Sequence, residues 1–167
     1  MHIYYDDYEY NDIVSDILNN REFKKIEGFK HHSTNRLDHS KRVSYYSYRI
    51  CKRFGFDYVS AARGGLLHDF FINTYKNCNK GELLVNHPMI SLYNANKHFV
   101  LNDIEKDIIK SHMFPINIKI IPKYKESFVI TFVDKISCVY ERFMGCKFKA
   151  QFGFGKVMLY LFFIICN

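Results

Sequence analysis

Three places in this chain put metal-ligating side chains where a helix is expected to be apolar. Asp134 lies inside VITFVDKISCVY, a segment apolar enough to be mostly buried. An ionised carboxylate there is costly unless a cation, a metal or several hydrogen bonds hold it; a neighbouring Lys or Arg, or a helix edge turned to solvent, would also account for it. His68 and Asp69 stand side by side at the end of another apolar stretch and offer imidazole and carboxylate within one turn. Borderline divalent cations take such mixed nitrogen and oxygen ligands. His39 falls on the helical face traced by Val43, Tyr46, Ile50 and Phe54 rather than on a wet one. Each feature alone arises by chance. The ordered set His39, His68, Asp69 and Asp134, all where helices meet a core, is far less accidental.

The elements that must bring these groups together read as helices. Residues 11–24 carry Ile13, Ile17, Leu18 and Phe23 at helical spacing and predict a first helix. The His39 helix stops at Gly55. Asp57 is an N-cap for a helix carrying Val59, Ala62, Leu66 and Phe70, with His68 and Asp69 in its last turn. Gly64 and Gly65 inside it cost roughly 1 kcal/mol each, which predicts close approach of another backbone or a ligand. Pro88 suits the first turn of a helix running to about Phe99 and leaves His87 at its entrance. Asn102 and Glu105 form a capping box for a helix with Ile104, Ile108, Ile109 and His112, which Pro115 ends. INIKII alternates and predicts a short extended connection. From Lys125 a last helix carries Val129, Phe132, Val133, Ile136 and Tyr140. With almost no strand signal, the expectation is an all-α, single compact bundle of roughly five to seven helices.

Bulk properties set the frame. The 167 residues fit one domain, and 48% apolar content is enough for a core without disulfides. Five cysteines without CxxC spacing, after the polar start MHIYYDDYEY, predict a reduced, cytoplasmic protein. The net charge of +7 favours anionic partners: phosphate esters, nucleotides, nucleic acid or an acidic membrane surface. The basic residues are spread along the chain, so charge alone selects none of these, and there is no nucleic-acid motif. The longest apolar run, residues 157–166, falls well short of the roughly 20 residues needed to span a bilayer. Core packing is the commonest fate of such a run; a homodimer contact or contact with a membrane surface are the others.

The order His39 … His68–Asp69 … Asp134 resembles the H…HD…D signature of HD-domain proteins. The stretches HHSTNRLDHSKRVSYYSYRICKRFGFDYVSAARGGLLHDFF and NHPMISLYNANKHF, and the ending FVDK, are similar to bacterial HD-domain phosphohydrolases. The resemblance covers residues 31–141, with residues 1–30 expected to pack on this domain and residues 142–167 as an apolar extension. It implies a helical bundle whose four ligands converge on one divalent metal, with Asp69 able to bridge to a second. His87 and His112 lie in the interval where two-metal subfamilies hold that second ion; otherwise they are ordinary helix-end histidines. One or two ions are therefore implied, with Mn, Fe, Mg, Zn, Ni and Co not distinguished.

The implied activity is hydrolysis of a phosphate ester, a nucleotide or related small phosphorylated molecule, by water activated on the metal. Charge and placement add Lys135 and Arg42 to Asp69 as catalytic groups, and Arg36, His32 and Arg63 as contacts for substrate phosphate. His98 reads as a surface residue; His2 and His31 carry no assigned role. The chain lacks the GYP triplet of HD-GYP phosphodiesterases and reads Ser111–His112 where they often show paired histidines. It also has no acidic residue between positions 70 and 81, where nucleotidase-type members use them. The same ligands would serve an HD-type diiron oxygenase, and a non-catalytic domain binding a nucleotide or a partner protein is the third reading.

Overall fold

Short Asn and Asp side chains open most of the helices, because each offers an oxygen to the free N–H groups of a first turn. The computed structural model describes residues 6–31, 34–72 and 80–145. Asp7 caps α1 (Tyr8–Ile13), which is followed by α2 (Ser15–Asn19); Asn20 caps α3 (Arg21–Lys24), and a 3-10 turn (Lys25–Gly28) follows. Asn35 caps α4 (Arg36–Phe54), Asp57 caps α5 (Tyr58–Leu67), and α6 is Lys80–His98. Asn102 and Glu105 make the expected capping box of α7 (Asp103–Ser111), and α8 is Lys125–Gly145. The only pairing of strands among the described residues is two residues long, β1 (Lys30–His31) against β2 (Thr34–Asn35). The fold is all-α.

Helix α5 is central. It packs on α4, α7, α8, α6 and α1, and seven of its ten residues are buried. The two glycines permit this enclosure. A Cβ on Gly65 would lie 3.0 Å from the Ser44 Cα of α4, and one on Gly64 would lie 2.8 Å from the Ile108 side chain of α7. The close approach predicted for the pair is therefore made by neighbouring helices. Gly55 ends α4 in the left-handed conformation (φ 67°), which glycine adopts without strain.

The N-terminal helices belong to the same core: Tyr10, Val14, Ile17, Phe23 and Ile26 cluster with Leu37, Tyr48, Leu66 and Phe70. Tyr10 donates to Ser44 Oγ (2.9 Å), which donates to the Ala62 carbonyl (2.6 Å), so the phenol enters the core with its hydroxyl satisfied.

Several expectations need correction. The single helix over 11–24 is broken into short pieces, because Val14 leaves the helical conformation and Asn20 is extended and caps the next turn; this raises the count to eight α-helices among the described residues. Pro88 lies inside α6, which continues N-terminally through GELLVN, so His87 is interior and not at an entrance. INIKII forms turns, because Asn117 donates its N–H to the Met113 carbonyl and accepts from Lys119. Val59, Phe54 and Phe132 are exposed; the buried face of α8 carries Ile130, Val133, Asp134, Ser137 and Glu141 instead. No described helix is long and apolar enough to cross a membrane. The C-terminal stretch 146–167 lies outside the described residues.

Candidate metal centre

His39 occupies the second turn of α4, where the Asn35 cap fixes the helix start, and Asp134 and Glu141 project from α8 two turns apart on one face. His39 reaches both. Its Nδ1–H donates to Glu141 Oε1 (3.0 Å), and its Nε2 lies 3.1 Å from Asp134 Oδ1. Arg42, one turn further along α4, donates to the same Glu141 oxygen. Lys135 Nζ lies 2.6 Å from Asp134 Oδ2 and donates to the His112 carbonyl (3.0 Å).

The His68–Asp69 turn follows the last residue of α5 and is gripped from two sides. Asn94 of α6 donates to the Phe70 carbonyl (3.0 Å), and Arg36 of α4 donates to the Phe71 carbonyl while its guanidinium covers the Phe71 ring. His68 Nδ1–H donates to the Gly65 carbonyl (2.7 Å), which leaves the Nε2 lone pair free to act as a ligand. That Nε2 is buried, has no hydrogen-bond partner, and faces Asp69 Oδ2 and Asp134 Oδ1, each at 3.8 Å.

A second group stands beside the first. His112, just past α7, donates Nδ1–H to the Ile109 carbonyl (2.8 Å), so its Nε2 is likewise a lone pair. His87 Nε2 lies 2.8 Å from His112 Nε2 and 3.3 Å from Asp69 Oδ1. His112 Nε2 is 3.6 Å from the same carboxylate oxygen.

The electrostatics follow from burial and neighbours. Burial opposes the imidazolium of His39, but hydrogen bonds to Asp134 and Glu141 outweigh it and push the pKa up to about 9. Burial pulls His68 down, and burial with the adjacent His87 and His68 pulls His112 well down, so both stay neutral at pH 7. Burial would raise Asp69 and Asp134. For Asp69 the imidazoles of His68, His87 and His112 prevail; for Asp134 the His39 hydrogen bond and Lys135 do, and both carboxyls sit well below the usual range.

Two sets of ligand atoms result: His39, His68 and Asp134, and Asp69, His87 and His112, each set within 4.8 Å of one another. Their composition fits a divalent cation. Imidazole lone pairs aimed at ionised carboxylates are acceptors facing acceptors, an arrangement that only a shared cation or proton satisfies. All six side chains are buried.

The structure thus brings together every residue expected to ligate metal, with Lys135 beside them. Arg42 is a neighbour of the site through Glu141, not a member of the ligand set. Arg36, expected to contact substrate phosphate, is buried against Phe71 and holds the turn after α5 through the Phe71 carbonyl. Arg63 is elsewhere, paired with Asp16 and Glu105. Five residues before His68, it lies about 140° around the α5 axis, so it cannot share that histidine's face. His32 lies outside the described residues. His98 is half-buried against Phe70 rather than fully at the surface. Sequence reasoning missed Glu141 and Asn94; for Glu141 the signal was its spacing of seven from Asp134, which repeats a helical face. In comparisons with known proteins, no protein-family model, no curated protein and no solved structure matches the chain.

Proposed function

We propose that this chain is an HD-type, divalent-metal-dependent phosphohydrolase acting on a small phosphorylated molecule of nucleotide type. The observation that carries the reading is the convergence of His39, His68, Asp69 and Asp134 from three separate helical regions, with the partnerless Nε2 of His68 between the two carboxylates. His39, His68 and Asp134 would hold one ion, and Asp69, His87 and His112 the other. A divalent ion held there supplies Lewis acidity, lowering the pKa of water toward neutrality and drawing charge from a phosphoryl oxygen.

The chain's own groups prepare the site. Carbonyl partners on His68 and His112 keep each Nε2 deprotonated, and the turn behind Asp69 is clamped by Arg36 and Asn94. Lys135, about a third exposed, ties Asp134 of one cluster to the His112 carbonyl of the other and presents a positive charge to an incoming phosphate. Elemental analysis with a panel of phosphomonoesters, phosphodiesters and nucleotides, after chelation and reloading with Mn, Fe, Mg, Zn, Ni or Co, tests the proposal. Metal-dependent turnover, abolished together with bound metal in a folded Asp69→Ala variant, is the expected result; metal content unchanged in that variant would sink it.

The two histidines of the second cluster support a second reading, a diiron oxygenase. Iron in the purified protein, oxygen consumption and no phosphatase activity would replace the first reading with this one.

A further inference from the structure

Between α7 and α8 the chain exposes apolar side chains from a well-anchored loop. Ile116 is 56% exposed, Ile118 72% and Ile121 59%. Looseness does not account for them. Asn117 between them and Pro122 just after them are buried; Asn117 N–H donates to the Met113 carbonyl, and Lys123 N–H donates to the buried Asp107 carboxylate (2.8 Å). The loop is pinned at its small and polar positions and turns its isoleucines outward. Interleaved with them are Lys119, Lys123 and Lys125, all exposed. Along residues 108–125 there is no acidic residue, and the flanking Asp107 and Glu126 are both buried. Exposed Phe128 and Phe132 extend the apolar surface along α8.

We infer that this loop is a docking face for an anionic lipid surface. Apolar side chains that enter the boundary between headgroups and acyl chains, ringed by lysines that meet anionic headgroups, are the two components of interfacial attachment. A protein partner would need only the apolar half. The run of lysines without a single exposed acid selects a surface that is uniformly negative, and attachment of this kind needs no spanning helix.

The test is co-sedimentation of the full chain with vesicles of phosphatidylcholine alone and with an added third of phosphatidylglycerol. Three lysines near the surface are expected to favour the anionic vesicles by roughly a hundredfold, and added salt is expected to remove the preference. Ile118→Asp with Ile121→Asp is expected to abolish binding while leaving the circular dichroism spectrum and melting temperature intact, since both side chains are exposed. Absence of binding to anionic vesicles, or undiminished binding by the double variant, overturns the proposal. So does a dimer in sedimentation velocity that the same substitutions dissociate, which makes the occupant a second copy. A photo-crosslink from position 121 to residues 146–167 without vesicles makes the occupant the chain's own tail, and overturns it too.

Discussion

The two clusters that could each hold a metal ion meet at adjacent residues, His68 and Asp69, yet they are supported differently. His39, His68 and Asp134 come from or directly follow α4, α5 and α8, helices that pack on one another around the core. Each is backed by a polar group: Glu141 and Arg42 behind His39, the Gly65 carbonyl behind His68, Lys135 beside Asp134. In the other cluster His112 has the Ile109 carbonyl, Asp69 stands on a clamped turn, and His87 has the Phe71 ring at its flank. The first cluster joins α4, the end of α5 and α8; the second joins α6 and the end of α7 to the turn after α5. The first is therefore expected to bind its ion more tightly and to be coupled to folding, and the second to bind more weakly and independently of stability.

The strongest way to break that distinction is to remove one member of each. Asp134→Ala removes one of the two carboxylates that hold the buried His39 and the one beside Lys135, so unfolding free energy is expected to fall by about 3–5 kcal/mol along with loss of the first ion. His87→Ala is expected to remove one metal equivalent and to change stability by no more than about 1 kcal/mol. Urea denaturation with elemental analysis reads both. Equal losses in the two variants would erase the difference between the clusters.

Glu141→Gln sharpens the comparison. It keeps the shape and a hydrogen-bond acceptor for His39 Nδ1–H but loses the charge, so affinity at the first cluster is expected to fall about 10–100-fold. The second cluster should keep its affinity in the same calorimetric titration.

Acidity separates the clusters again, with a definite sign. His39 is raised from an ordinary 6.5 to about 9, so in chelator-treated protein its stabilising contribution is complete below about 6.5 and is lost as pH rises through about 9. An ion at the first cluster must displace that proton, so its affinity should rise over the same interval and then level off. His112 is held neutral throughout, so it should add no proton-release step to binding at the second cluster across that interval. Titrations between pH 6.5 and 9 that show parallel slopes at both sites would contradict this assignment.

Most of the site was legible because ligands are chemically conspicuous. A His or Asp at a core-facing helical position is an anomaly that composition and period reveal, as at His39, His68, Asp69 and Asp134; His87 and His112 were singled out only by the resemblance, and all six converge. What supports them was not legible. Glu141 reads as an ordinary charge on an exposed helix until the packing of α8 on α4 turns its face inward, a tertiary choice that leaves Phe132 in water. The same gap explains Arg63, whose charge suggested phosphate but whose position around α5 gave it to Asp16 and Glu105. Helix ends were legible where an Asn or Asp caps them, as at Asn102. They were misread at Pro88, where a residue that usually opens a helix sits within one.

Arg42 provides the smallest and most discriminating test, since its charge beside His39 suggested a catalytic group and its contacts make it a support. It reaches His39 only by gripping Glu141, one bond further from the ion than the carboxylate itself. Arg42→Gln should therefore weaken the first ion less than Glu141→Gln does, by under about tenfold, and should leave kcat unchanged once metal is saturating. A group that met the transferring phosphate would show the reverse: full metal affinity and a kcat that no added metal restores. Because Glu141 also accepts from His39, the double variant separates the two roles; Arg42→Gln should add little once Glu141 is already Gln, as residues acting in series do.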